Sequence, residues 1–193
     1  MTGDDAKNAD VGFVYVCIAV DVAEVTGLAA KGDDPAAVHS VAASSPAVIA
    51  TSTAQPSHKG IAVNVPRKLL ISARTGDVLR IYAISGSYNF ESAALLSDMQ
   101  PKSASNAPDI VSAFSLVVVE QTPVTPTSEP LAVKDDGDKQ QFWFWQATIL
   151  GGGSQQCHAV LALYDRDDQG RPSFTGLYGW DLALTVKLKK SAD

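Results

Sequence analysis

The sequence predicts an all-β protein, a two-layer β-sandwich of about ten short, mostly antiparallel strands. Three observations predict it. Apolar residues recur at every second position along several segments, the side-chain period of an extended chain. Those segments are separated by Gly, Pro, Asp and Ser, the residues of turns. Segments with a helical pattern are few. At 193 residues the chain fits one domain with a core of its own. Residues 1–10, MTGDDAKNAD, form a polar N-terminus expected to be flexible, and residues 11–190 form the domain.

In GFVYVCIAVDV, Val14, Val16, Ile18, Val20 and Val22 share one face, and Phe13, Tyr15, Cys17 and Ala19 share the other. Both faces are apolar, which predicts an interior strand. Residues 36–60 are rich in Ala and Ser and broken by Pro46 and Pro56, so they predict two weak edge strands or a loosely held insertion. LLISARTGDVLRIYAI holds two β-branched runs around the turn residues Thr75-Gly76-Asp77, a hairpin or a bend. Glu91–Met99 has helical composition but stands between alternating runs, which makes a strand an equal alternative. Pro123, Pro126 and Pro130 make residues 122–130 an extended connector. Phe142–Leu150 and Gln155–Tyr164 flank GGGS and predict a hairpin. In the last segment Tyr178, Trp180, Leu182, Leu184, Val186 and Leu188 alternate with small and polar residues, a strand with one wet face.

Composition narrows the function classes. The net charge is −6, and the 15 Lys and Arg residues are scattered except for Lys187, Lys189 and Lys190, which excludes a basic surface for nucleic acid. Residues 1–10 lack the basic and apolar regions of a secretory signal, so the expected location is the cytoplasm. The apolar run VGFVYVCIAV is about half the roughly 20 residues of a bilayer-spanning helix, so no membrane partner is expected. Cys17 and Cys157 read as free, small apolar side chains.

Five stretches invite a functional reading. Phe142-Trp143-Phe144-Trp145 puts two indoles on one face of a strand and two phenyl rings on the other. Exposed indoles stack on sugar rings, whereas buried ones serve a core or a subunit interface. Trp143, Trp145 and Trp180 are the candidate stacking residues, with Asp165 and Asp168 as acceptors for sugar hydroxyls. The loop DRDDQG places oxygen donors Asp165, Asp167 and Gln169 at the first, third and fifth places and Gly170 at the sixth, as in a calcium loop, so calcium is the one candidate cofactor. Its twelfth place is Gly176 where a bidentate Glu is needed, and a polar turn between strands explains the same residues. Asp135-Asp136-Gly137-Asp138 is a second acidic turn with the same two readings. Cys157 and His158 point to opposite faces of a strand and so cannot act together, and GGGS lacks the Lys and the helix of a phosphate loop. A hydrolase would need His39 or His58 with a distant Ser or Asp. No nucleophile elbow, His-Glu-x-x-His or Cys-x-x-Cys is present, which makes an enzyme the weaker expectation.

Three longer stretches carry a family resemblance. The strand ending in IAVDVAEV, the central RTGDVLRIYAISGSYNFESAALL and the terminal FWFWQATILGGGSQQCHAVLALYDRDDQGRPSFTGLYGWDLALTV resemble the bacterial inclusion body proteins of the AidA and PixA type. An apolar strand ending in Asp, a Gly-Asp turn and a final Tyr-x-Trp-Asp strand carry the likeness, and His39-Ser40 stands where that family has His-Ser or His-Asn. The Ala- and Ser-rich segment after His39 and the Pro-rich connector depart from the pattern. The resemblance implies a cytoplasmic, non-enzymatic protein that acts through self-assembly or storage, a homo-oligomer such as a dimer, linked to cell density or host association. It transfers no catalytic residue. Lectin-like relatives make a carbohydrate-binding module, calcium-assisted or not, the alternative.

Overall fold

The computed structural model describes residues 11–28, 34, 36–41, 48–51, 68–87, 91–102, 107–121, 125–126, 133–134 and 139–189. The expectations for residues 1–10, His58, Asp135–Asp138 and most of the Pro-rich connector lie outside them. In chain order the elements are β1 (Phe13–Val20), α1 (Val22–Leu28), β2 (Val38–Ser40), β3 (Val48–Thr51), β4 (Lys68–Ala73), β5 (Val78–Ser85), β6 (Ala93–Lys102), β7 (Ser115–Gln121), β8 (Thr125–Pro126), β9 (Val133–Lys134), β10 (Gln140–Thr148), β11 (Gly153–Arg166) and β12 (Pro172–Leu188).

Ten of these strands form the two layers expected of a sandwich, and β8 and β9 pair with each other. The first sheet has the order β3-β1-β5-β10-β7, and the second β2-β12-β11-β6, with β4 also paired to the long β12. Most pairings are antiparallel, but β1 runs parallel to β5, and β2 and β4 run parallel to β12, so both sheets are mixed. Strand β1 is interior, as its two apolar faces require, and the Ala- and Ser-rich segment supplies the short outer strands β2 and β3. Residues 93–102 are a strand, because pairing with β11 outweighs their helical composition.

The core lies between the layers. Val14, Val16, Ile18 and Val20 of β1, Leu79 and Ile81 of β5, and Cys157, Ala159, Leu161 and Leu163 of β11 are all fully buried. Tyr178, Trp180, Leu182, Leu184 and Val186 of β12 stand beside the β11 residues in the second layer and complete it. Each large aliphatic side chain buried this way contributes about 1.5–3 kcal/mol. Val22 leaves the strand expected for it. Asp21 stops β1 and its carboxylate accepts the Glu24 N–H at 3.0 Å, an N-cap that starts α1 and turns Val22 and Val25 into the core from a helix. The pair Asp21-x-x-Glu24 is the sequence signal for that helix.

One connection differs from the expected hairpin. Phe142–Leu150 and Gln155–Tyr164 do not pair: β10 belongs to the first sheet and β11 to the second. GGGS is where the chain changes layers. A Cβ on Gly152 would sit 3.0 Å from the Leu188 Cγ, and Gly153 has φ +141°, so two adjacent glycines let the backbone cross the end of β12. Of the hairpin and the bend that residues 74–77 allow, the chain takes the bend, carrying β4 of the second sheet into β5 of the first. The two crossings lie side by side and bond to each other, with the Gly76 N–H donated to the Ile149 carbonyl and the Ile149 N–H to the Asp77 carbonyl, both at 2.8 Å. The true hairpin is β11–β12, joined by the acidic loop. Among the described residues no helix is long and apolar enough to cross a membrane.

Candidate functional site

One face of the first sheet points away from the core, and the alternation decides what stands on it. Register puts Tyr15 of β1 beside Arg80 of β5, Arg80 beside Gln146 of β10, and Gln146 beside Ser115 of β7. One row further along lie Cys17, Tyr82, Phe144 and Val117, and then Phe142 and Val119. These side chains enclose a groove of about 390 Å³, lined by Tyr15, Arg80, Tyr82, Val117, Phe142 and Phe144 among others, with Trp143 and Gln121 at its walls. Its volume is in the range of small-molecule sites, which are mostly apolar with a few convergent polar groups.

Arg80 is the hub of this face. Its guanidinium lies 4.2 Å from the Phe13 ring centroid, 4.6 Å from that of Phe144 and 5.5 Å from that of Tyr15. Its Nε–H is donated to Gln146 Oε1 at 3.0 Å and an Nη1–H to the Tyr15 hydroxyl at 2.9 Å. Among the described residues no carboxylate pairs with it. Beside it, burial raises the pKa of the Cys17 thiol, partly offset by the Tyr82 hydroxyl, and burial also raises that of Tyr82.

The three tryptophans have three different surroundings. Trp143 is 39% exposed and stands with Leu116 and Val118, both 52% exposed, where β7 and β10 overhang the edge of the second sheet. Trp145 points the same way but packs on the core, its Nε1–H donated to the Leu96 carbonyl at 2.8 Å. Trp180, expected as a stacking residue, is 2% exposed and is a core residue, because its strand position faces the first sheet. Sequence alternation showed that face without showing what covers it.

The acidic loop is a self-contained turn. Asp167 Oδ1 accepts the N–H groups of Gln169 at 2.9 Å and Arg171 at 2.8 Å, and Oδ2 accepts the Arg171 Nε–H at 3.0 Å. Those bonds hold the Asp167 carboxyl below the usual carboxylate range. Gly170, with φ +73°, closes the turn, and Arg166 donates to its carbonyl at 3.1 Å. Asp165 bonds the N–H of Arg166 at 2.8 Å, so its oxygens, those of Asp167 and the amide of Gln169 are not drawn toward one point by these contacts. Among the described residues no group of three His, Cys, Asp or Glu side chains could hold a metal ion. Asp168 lies in the loop between β11 and β12 and is not among the residues that line the groove.

Cys157 and His158 point to opposite faces, as their adjacency dictates. Burial pushes the Cys157 thiol up to about 12. His158 instead meets Asp181 on the outer face of the second sheet, Nδ1 to Oδ1 at 2.9 Å, with the Lys102 ammonium 2.7 Å from the same oxygen. The two donors hold the Asp181 carboxyl below its ordinary value, Lys102 more than His158. Gly179 gives the imidazole its place, since a Cβ there would lie 3.2 Å from Nε2. His39 packs its ring on Tyr178, centroids 5.7 Å apart. Sequence reasoning missed both Arg80 and the Asp181 cluster. Each is an isolated charge within an alternating strand, and its neighbours come from distant strands.

Comparison with known proteins agrees with the architecture. The family PixA, described as inclusion body protein, matches residues 13–186. No curated protein matches the sequence. The crystal structure of the PixA inclusion body protein from Burkholderia cenocepacia J2315 is similar, with 17% identity, 92% of this chain and 97% of that chain covered, and a TM-score of 0.64. At that identity the likeness concerns the fold. The solution structure of Amebosin matches at 10% identity over 62% of this chain and 88% of that one, with a TM-score of 0.23, too low to carry an argument.

Proposed function

The chain belongs to the PixA inclusion body protein family, and from that premise we propose that it is a non-enzymatic cytoplasmic protein acting through self-assembly or storage, tied to cell density or host association. The observation that supports this reading is the edge formed by β7 and β10. Leu116, Val118, Phe142 and Trp143 are each between 39% and 52% exposed there, with Leu116, Val118 and Trp143 on one side of the sheet and Phe142 on the other. An edge strand that ends a sheet with apolar residues on both of its faces is a template for a second strand. A second copy offering the same strand satisfies it by two-fold symmetry. Light scattering after size exclusion tests the reading: a dimer or larger species is expected, and Val118→Lys, which charges the edge, yields monomer. A wild-type chain that stays monomeric across micromolar concentrations defeats it.

The carbohydrate-binding alternative is supported by the exposed Trp143 indole, which stands with Leu116 and Val118 at the edge of the first sheet. A glycan array with and without a chelator tests it, with the calcium-assisted form requiring signal only before chelation. Silence in both arms removes it.

A further inference from the structure

The groove on the outer face of the first sheet has a chemistry that assembly does not use. Its walls are aromatic and aliphatic: Tyr82, Phe142, Phe144, Val117 and Val119. Among the described residues that line it, the one charged side chain is a cation, Arg80. A guanidinium has five N–H donors. Two of Arg80's are used, by Gln146 and Tyr15, and these bonds with the flanking Phe13 and Phe144 rings fix the plane of the group. No described carboxylate neutralises it, although the chain has 21 Asp and Glu against 15 Lys and Arg. Rings that displace water from around a fixed cation lower the local dielectric and strengthen its pull on an anion. The surplus negative charge of the whole chain repels polyanions.

From charge complementarity and wall chemistry together, we propose that this groove binds a small organic monocarboxylate with a flat apolar body. The carboxylate accepts the remaining Arg80 N–H groups, and the body lies against Phe142, Phe144 and Tyr82. A neutral sugar would leave the cation unanswered, and an inorganic anion would leave the walls bare. The groove shares Phe142 and the strand β7 with the assembly edge, but its cation and walls are built within one chain, and probe binding is read separately from association.

Isothermal titration calorimetry on the full chain tests this with two probes of nearly equal shape, naphthoate and naphthylmethanol. Saturable one-to-one binding of naphthoate is expected, about tenfold or more tighter than the neutral alcohol, the difference a charge-assisted hydrogen bond brings. Arg80→Met abolishes that preference while leaving alcohol binding in place. Val119→Glu, a groove-wall change on the half-buried edge strand, weakens naphthoate selectively and serves if Arg80→Met does not fold. Equal affinity for the two probes in the wild type overturns the proposal, as does a preference that survives both variants. Absence of saturable naphthoate binding overturns it as well.

Discussion

The carboxylate of Asp77 is bonded to the backbone of Gly12, 65 residues earlier in the chain, at 3.0 Å. Its other oxygen accepts the Arg74 N–H at 2.7 Å, and the side chain is 5% exposed. The Val78 N–H returns a bond to the Gly12 carbonyl at 2.8 Å. One acidic side chain thus ties the entry of β1 to the bend that carries the chain between layers, and it fixes the parallel register of β1 against β5.

Removing that tie is costly. Asp77→Ala leaves two part-buried N–H groups without their acceptor, and an unsatisfied buried donor costs about 1–3 kcal/mol, less where water reaches it. A loss of about 1–3 kcal/mol in urea unfolding is expected. Gly12→Ala reports on the same contact from the other side, since its Cβ would lie 2.7 Å from Asp77 Oδ1, too close for both to stay in place. If both variants unfold at the wild-type midpoint, the tie contributes nothing.

Cys157 predicts the alkaline limit of stability. Its thiol titrates at about 12 in the fold against 9.0 in the open chain, so the folded pKa is the raised one. The contribution is complete below the unfolded value. Above it the unfolded chain releases a proton that the folded chain keeps, and stability falls by about 1.4 kcal/mol per pH unit toward the folded value. Urea midpoints of wild type and Cys157→Ala, compared between about pH 8 and pH 10.5, should converge as the pH rises. The same thiol should react with Ellman's reagent only after denaturation, and rapid reaction of both cysteines in the native protein contradicts this.

The indoles should separate by solvent access. Acrylamide should quench Trp143, which is 39% exposed, and leave Trp180, at 2%, nearly untouched. Trp143→Phe removes most of the quenchable emission at little cost in stability. Trp145→Phe gives up the bond to the Leu96 carbonyl and some core volume, and about 1–2 kcal/mol should be lost.

Asp181 tests the exposed cluster on the opposite sheet. Its folded pKa is the depressed one, held down by Lys102 and then His158. The stabilisation is therefore present above the ordinary carboxylate value and disappears as the pH falls through the folded value. With both partners half in water, Asp181→Asn should cost no more than about 1 kcal/mol at neutral pH, less in high salt. A cost several times larger, or one that persists in strong acid, points to a packing role instead.

Much of this was legible in the residues, and the misses share a cause. The faces of β1, β11 and β12 follow from period two alone: Val14, Val16, Ile18, Leu161, Leu182 and Leu184 are buried where the alternation puts them. The polar turn at Asp167 is local chemistry and was one of the two readings its residues allow. The pairing across GGGS was not legible, because a glycine run permits a tight hairpin and a change of layer equally well. Trp180 and Trp143 look alike in sequence, each aromatic in an alternating strand, yet one is sealed and the other overhangs.

The amino-acid order by itself determined that the chain is extended, which side chains share a face, and where it turns, since these depend on neighbours one to four places apart. The three-dimensional arrangement alone decided which strands are partners, which face stays open, and that Arg80 is surrounded by Phe13, Tyr15 and Phe144 from two other strands. Those outcomes depend on contacts between segments far apart in the chain, 65 residues between Tyr15 and Arg80 and 79 between Lys102 and Asp181, and a local pattern carries no record of them.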